Sequence, residues 1–122
     1  MSDQDSLNLS SLKQRLARVP ASDIEEGGAI SLDVSFQAGR QSVIVLRHGD
    51  QLRAFLNHCP HAGWPLERFD GRFLFTPDGD LICAAHGAVF DARTGACLAG
   101  PGTGTGLTRV EVVWNGEDWL IG

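Results

Sequence analysis

From about residue 28 onward, apolar and polar residues alternate in short runs that are separated by turns containing glycine. Ile30, Leu32 and Val34 alternate with polar neighbours, which is the pattern of a half-buried strand. Asp78-Gly79 and Asn115-Gly116 each separate two apolar runs, and such dipeptides favour tight β-hairpin turns. The Asn115-Gly116 turn is predicted to join residues 107–114 and residues 118–121 as the two strands of one hairpin. The pattern therefore predicts an all-β fold in which antiparallel sheets pack together as a sandwich or barrel.

The length and charge of the chain narrow its possible functions. Its 122 residues fit one domain, and the net charge of -5 weighs against nucleic acid as a partner, because phosphate binding needs a basic surface. The one lysine, Lys13, follows no glycine-rich stretch, which excludes a phosphate-binding loop of the Walker type. No apolar run approaches the roughly 18 residues of a membrane span, and the first residues lack the features of a secretory signal. We therefore expect a cytoplasmic protein without a membrane span.

Residues 1–22 follow a different pattern from the rest of the chain. Leucines and Val19 recur there at helical spacing, and Pro20 ends the series. The spacing predicts a short amphipathic helix in an N-terminal extension over residues 1–22, ahead of a main domain over residues 23–122. Two interpretations of this helix remain open, since it could lie on its own domain or in solvent, or it could dock onto a partner chain.

Two short segments combine cysteine with histidine at the spacing of metal ligands. The first has the pattern Cys-x-His at Cys59 and His61, and the second has Cys-x-x-His at Cys83 and His86. Each segment follows a predicted strand, where loops present side chains from a rigid base. Because no export signal is seen, we expect these cysteines to bind metal or do redox work rather than form disulfides. Thiolate and imidazole suit iron or zinc, so the residues alone predict a Cys2His2 metal site.

These segments resemble the cluster-binding motifs of the Rieske iron–sulfur family, in which Cys-x-His is followed after a long gap by Cys-x-x-His. The resemblance covers roughly residues 28–122. Its specific part, residues 57–102, corresponds to a cluster-binding subdomain of two loops and ends on Gly100-Pro101-Gly102, where the family has a proline-containing loop over the cluster. The fold implied by the resemblance is a Rieske-like arrangement of antiparallel sheets that carries this subdomain.

The resemblance also implies a cofactor, its ligands and a function. The ligands of one [2Fe-2S] cluster would be Cys59 and Cys83 on one iron and His61 and His86 on the other. The protein would be a ferredoxin-like carrier of single electrons between a reductase and a terminal oxygenase or other redox enzyme. We expect no catalytic site on this chain, because the catalytic domain of the Rieske oxygenases has no counterpart here.

Two positions after the second motif bear on the reduction potential. High-potential members of the family carry a serine and a tyrosine there, whose hydroxyls donate hydrogen bonds to the cluster and to a ligand sulfur. The matching residues here are Ala88 and Phe90, which have no hydroxyl. The resemblance therefore implies a potential toward the low end of the Rieske range, which runs from about −150 to about +300 mV.

Neighbouring residues have less specific interpretations. Trp64 is expected to shield the cluster from water, with contact to a partner as the second possibility. Cys97 is expected to be a small buried apolar residue, and His58 is expected to be an exposed imidazole. Trp114 and Trp119 are expected in the core or as a cross-strand pair.

Two other functions remain open from the sequence. The chain could be the small Rieske subunit of a larger reductase, similar to that of assimilatory nitrite reductase, or of an oxygenase complex. It could also be a binding module in which zinc stabilises the fold and no redox chemistry occurs, because zinc accepts the same four ligands. The zinc and iron contents, together with acid-labile sulfide, distinguish the last possibility from the other two.

Overall fold

The computed structural model describes residues 17–36, 39–60, 64–100 and 104–122. In these ranges the chain consists of β-strands joined by turns, with one short 3-10 helix at Ala21–Asp23. None of the described residues belongs to a helix long and apolar enough to cross a lipid bilayer. The strands are β1 Ala17–Pro20, β2 Ala29–Phe36, β3 Gly39–His48, β4 Gln51–Leu56, β5 Leu74–Phe75, β6 Leu81–Ile82, β7 Val89–Phe90, β8 Cys97–Ala99, β9 Arg109–Val110, β10 Val112–Trp114 and β11 Asp118–Ile121.

Antiparallel pairing organises these strands into three sheets, which confirms the predicted all-β fold. The central sheet has the order β2-β3-β4-β9, and the second sheet has the order β1-β11-β10. The third sheet, β5-β6-β7-β8, is a meander of short strands. Most neighbours in the sheets are consecutive in the chain, which is the usual result of short connections.

The apolar run at residues 43–46 of β3 explains how the sheets stack. All four side chains are buried, although successive side chains of a strand point to opposite faces of a sheet. Val43 and Val45 share a core cluster with Ile121 of the second sheet. Ile44 and Leu46 belong to another cluster, which includes buried residues of the third sheet. The central sheet therefore lies between two apolar layers, as expected for a strand that is apolar at successive positions.

The N-terminal extension differs from its prediction where the structure describes it. Most of the predicted helix falls on residues 1–16, which lie outside the described ranges. Its last part, Ala17–Pro20, is strand β1 and pairs antiparallel with β11. Val19 is 2% exposed and packs in the same core cluster as Ile121. Burial of this β-branched side chain, together with the backbone ladder to β11, favours a strand over a helix here.

The segment 107–114, which the sequence analysis places on one side of the last hairpin, is divided between two sheets. Strand β9 pairs with β4, and strand β10 pairs with β11 across the Asn115-Gly116 turn. Glu111 lies between β9 and β10, and its carbonyl accepts a hydrogen bond from the Gly122 N–H at 3.0 Å. The predicted hairpin is confirmed, and the break at Glu111 lets one segment join the central sheet to the second sheet.

Candidate metal centre

The first cysteine–histidine motif lies in the loop that follows β4. Cys59 is fully buried, and its backbone N–H donates to the Trp64 carbonyl at 2.8 Å, which closes the loop. His58 is exposed, as predicted, and His61 lies outside the described residues. The end of a central strand therefore fixes Cys59 in the apolar layer between the central and third sheets.

The second motif lies in the loop that joins β6 to β7. The Cys83 N–H donates to the Ala88 carbonyl and the Gly87 N–H donates to the Cys83 carbonyl, both at 2.8 Å. Gly87 has a φ of 77°, a left-handed conformation that glycine adopts without steric cost. Cys83 is buried at the base of this loop, whereas His86 is exposed. The loop thus holds its two candidate ligands at different depths.

The two loops meet in one apolar layer. Cys59 and Cys83 belong to the same core cluster, and the Cys59 thiol is close enough to raise the pKa of the Cys83 thiol. The Ala84 N–H donates to the Leu66 carbonyl at 3.0 Å, which ties the second loop to the first. Among the described residues, no three His, Cys, Asp or Glu side chains are placed to hold a single metal ion. The structure therefore brings the two predicted cysteines together and does not group the exposed His86 with them.

The surroundings of the Cys83 sulfur are suited to a bound cation. Burial raises the pKa of the Cys83 thiol, because an apolar environment disfavours the thiolate. The N–H groups of Ala85 and His86 donate to the sulfur and lower this pKa, while the neighbouring Cys59 raises it. A thiolate here is therefore costly without a nearby positive charge, which a metal supplies. Two adjacent buried sulfurs with backbone N–H donors fit the thiolate ligands of an iron–sulfur cluster.

Trp64 and Cys97 are more exposed than predicted, whereas the two tryptophans of the last hairpin pack as predicted. Trp64 is 61% exposed, so most of its ring faces solvent, which favours contact with a partner over shielding. Cys97 is half-buried rather than fully buried, and its thiol donates to the Ala99 carbonyl at 3.5 Å. Trp114 and Trp119 face each other across β10 and β11 with ring centroids 5.2 Å apart, which confirms the predicted cross-strand pair.

Sequence reasoning missed two residues near the site. Asn57 is 7% exposed, and its side-chain oxygen accepts a hydrogen bond from the Leu66 N–H at 2.8 Å. Gly100 has a φ of +82°, and a Cβ at this position would lie 3.1 Å from the Ala88 Cα. The position of this polar residue, two before the candidate ligand Cys59, was an available signal for Asn57. The sequence contains no such signal for Gly100, because the close approach of Gly100 to Ala88 joins two segments that are distant in sequence.

Comparison with known proteins identifies the family and shows a similarity to ferredoxins. The Rieske [2Fe-2S] domain profile matches residues 15–113, and no curated protein matches the chain in sequence. The ferredoxin of carbazole 1,9a-dioxygenase from Nocardioides aromaticivorans IC177 is 29% identical, with a TM-score of 0.71 over 87% of this chain and 95% of that chain. A chain in the complex of reduced oxygenase and oxidized ferredoxin in carbazole 1,9a-dioxygenase is 28% identical, with a TM-score of 0.69 over 89% of this chain and 94% of that chain.

A more distant structural match is evidence for the fold and not for the function. The terminal oxygenase of carbazole 1,9a-dioxygenase from Novosphingobium sp. KA1 is 14% identical and has a TM-score of 0.71, but the match covers only 30% of that chain. This likeness shows a common fold alone. The family profile, in contrast, spans most of this chain and both cysteine–histidine motifs. The protein therefore belongs to the Rieske [2Fe-2S] domain family and carries single electrons with one [2Fe-2S] cluster.

Proposed function

We propose that this protein takes electrons from a reductase and passes them one at a time to a terminal oxygenase. The observation that carries this proposal is the similarity to the ferredoxin of a carbazole 1,9a-dioxygenase, which extends over 95% of that ferredoxin. A second similar structure is a complex of a ferredoxin with an oxygenase. A ferredoxin reductase and a Rieske oxygenase are therefore the partner classes that we infer for this chain.

The ligands that we propose for the cluster are the four residues of the two motifs. They are Cys59, His61, Cys83 and His86. Support for the cysteines comes from their burial and from their place in the same core cluster. Support for the histidines comes from their spacing to the cysteines in the two motifs, and His86 also lies at the exposed end of its loop.

The residues of this chain have separate tasks in electron transfer. When bound, the cluster takes up and releases one electron. Apolar side chains packed around Cys59 and Cys83 keep water from the two sulfurs. The N–H groups of Ala85 and His86 stabilise negative charge on the Cys83 sulfur. Because the His86 side chain is exposed, an electron that enters or leaves on this side has a short path to a docked partner.

We further propose that the reduction potential lies in the low part of the Rieske range. Ala88 and Phe90, at the two positions where high-potential proteins carry hydroxyl donors, are both fully buried. Neither side chain can donate a hydrogen bond, so the reduced state lacks two interactions that would stabilise it. A low potential suits a carrier that supplies electrons to an oxygenase.

Trp64 is the residue that we propose contacts the partner. It is 61% exposed, and its carbonyl accepts the hydrogen bond from the Cys59 N–H that closes the first loop. A large exposed aromatic ring five positions from a proposed ligand is well placed to be buried when a redox partner docks.

We propose the cytoplasm as the site of action. In the structure, Cys59, Cys83 and Cys97 form no disulfide with one another. Cysteines that bind metal instead of forming disulfides are typical of reducing compartments. The reductase and the oxygenase inferred above would have to be in the same compartment.

Rapid mixing tests the proposed function directly. The holoprotein, reduced by a ferredoxin reductase and NADH, is mixed with an oxidised terminal Rieske oxygenase while the visible absorption of both proteins is followed. We expect reoxidation of this protein within the turnover time of the oxygenase. If the reductase reduces the protein but no oxygenase reoxidises it, the proposed acceptor class is wrong. Recovery of a stable stoichiometric complex with a catalytic reductase chain from the native host would support the small-subunit alternative.

A further inference from the structure

Asn57 is the only buried polar residue in the described part of the chain, with 7% exposure. Its side-chain oxygen accepts a hydrogen bond from the Leu66 N–H at 2.8 Å. Its amide nitrogen donates to the Glu67 carboxylate at 2.6 Å and to the Ser42 hydroxyl at 3.2 Å. The Asn57 N–H donates to the Ser42 carbonyl at 2.9 Å. One buried side chain thus joins β3 to both ends of the loop that contains Cys59.

The hydrogen bonds continue from Asn57 into the second loop. Leu66, whose N–H is held by Asn57, is fully buried in the core cluster that contains Cys59 and Cys83. The Leu66 carbonyl accepts a hydrogen bond from the Ala84 N–H at 3.0 Å, and Ala84 directly follows Cys83. The relative position of the two cysteines is therefore set by a continuous path from Asn57 through Leu66 to Ala84.

We infer that Asn57 is a positioning residue, which fixes the distance between the Cys59 and Cys83 sulfurs and thereby the geometry of the bound cluster. The inference rests on the proposed ligand set. Its physical basis is that loss of the amide leaves the buried Leu66 N–H without its acceptor and the half-buried Glu67 carboxylate without its donor. An unsatisfied buried group is costly, so a shift of the backbone that exposes it to water becomes favourable. Groups that orient metal ligands commonly change metal retention by about 10- to 100-fold when they are removed.

An exchange of donor and acceptor tests this inference without removing the side chain. In N57D the donor to Glu67 is lost and two carboxylates face each other, so we expect the loop to shift. In the double variant N57D/E67Q the glutamine amide donates to the new carboxylate, and the Leu66 N–H keeps an acceptor. Two readouts apply to each holoprotein: the electron paramagnetic resonance spectrum after reduction by dithionite, and the rate of cluster release to an iron chelator, followed by visible absorption.

Asn115→Ala serves as a matched control. The Asn115 side-chain oxygen accepts hydrogen bonds from the N–H groups of Glu117 and Asp118, both at 2.8 Å, in the turn of the last hairpin. This variant removes the same kind of contact at a place outside the two loops. We expect it to leave both the resonance spectrum and the release rate unchanged.

We expect N57D to release the cluster about 10- to 100-fold faster than the wild-type protein and to shift or broaden the spectrum, or to retain no cluster. N57D/E67Q should recover the wild-type spectrum and most of the retention. If N57D matches the wild-type protein, or if the double variant is no better than N57D, Asn57 is not a positioning residue. A wild-type holoprotein without the spectrum of mixed cysteine and histidine ligation would instead contradict the proposed ligand set, and the inference with it.

Discussion

Cys83 is the residue at which burial and cluster binding are most closely linked. Its side chain is fully buried beside Cys59, and replacement by serine removes a proposed iron ligand. We expect the Cys83→Ser protein to lack the visible absorption of an iron–sulfur cluster and to unfold at a lower urea concentration, because metal binding and folding are coupled. Absorption spectra and urea unfolding curves measure both effects.

Cys97 provides the matched control for this prediction. It is half-buried, and its thiol donates to the Ala99 carbonyl, a contact that a serine hydroxyl can reproduce. The Cys97→Ser protein should therefore keep the visible spectrum of the wild-type protein. Loss of colour in this variant, or a coloured Cys83→Ser protein, would show that the ligands are assigned incorrectly.

The reduction potential is a second property argued from single residues. We expect a midpoint potential below about +100 mV, in the lower part of the Rieske range, because the buried Ala88 and Phe90 offer no hydroxyl to the cluster. Replacing Ala88 by serine should raise the potential by restoring one donor. Protein-film voltammetry of the wild-type and Ala88→Ser proteins measures both potentials. A wild-type midpoint above about +100 mV would contradict the expected low potential.

At the residue scale, the sequence pointed to Cys59 and Cys83, which the structure buries in one cluster, but it gave no sign of the contacts that Asn57 makes. Cys59 and Cys83 are recognisable because thiol and imidazole at short spacing have few other uses. The role of Asn57 depends on Leu66 and Glu67 meeting it across a loop, and sequence spacing alone does not specify which backbone groups a buried amide will reach.

At the scale of elements, the residue after strand β8, Gly100, lies against the loop between β6 and β7 that contains Cys83 and His86. A Cβ at Gly100 would lie 3.1 Å from the Ala88 Cα and 3.4 Å from the Gly87 carbonyl oxygen. We expect Gly100→Ala to lower the free energy of unfolding by about 1–3 kcal/mol and to alter the resonance spectrum of the reduced protein, because the loop that carries His86 must move.

Gly79→Ala separates backbone strain from loop displacement. Gly79 has a similar φ of +88°, but a Cβ there would have no atom within 4 Å. Thermal unfolding should show a loss of stability in both variants, whereas only Gly100→Ala should change the spectrum. Identical spectra for Gly100→Ala and the wild-type protein would show that β8 does not hold the second loop in place.

Strand β1 illustrates what the sequence could not specify at this scale. The helical spacing that includes Val19 is genuine, yet Ala17–Pro20 pairs with β11 at the other end of the chain. Local periodicity carries no information about such a distant partner. The hairpin at Asn115-Gly116 was predictable for the opposite reason, since its turn and both strands are adjacent in sequence.

A core substitution tests whether β1 belongs to the folded domain. Val19 is 2% exposed in the core cluster of the second sheet, so Val19→Ala should lower the free energy of unfolding by about 1–3 kcal/mol. Val113→Ala on β10 of the same sheet is the control, because Val113 is 46% exposed and its truncation should cost less than about 0.5 kcal/mol. Urea unfolding that shows equal stability for both variants would exclude Val19 from the core.

At the scale of the whole molecule, the central sheet lies between two apolar clusters, one against the second sheet and one against the two loops of the candidate metal centre. One face packs on the second sheet around Val43 and Val45, and the other face packs on the two loops around Ile44. The all-β class was predictable from alternation and turns. The assignment of each face required the structure, because residues 43–46 are apolar without interruption and do not reveal which neighbour each side chain meets.

Electron transfer by this protein requires a cluster, for which the proposed ligands are two cysteines and two histidines. Electron paramagnetic resonance of the holoprotein after anaerobic reconstitution with iron and sulfide and reduction by dithionite tests this claim most directly. We expect one unpaired spin per protein, with the signature of mixed cysteine and histidine ligation and not that of four cysteines. A reconstituted protein that is silent in this experiment, or that shows the spectrum of a four-cysteine cluster, would contradict the account.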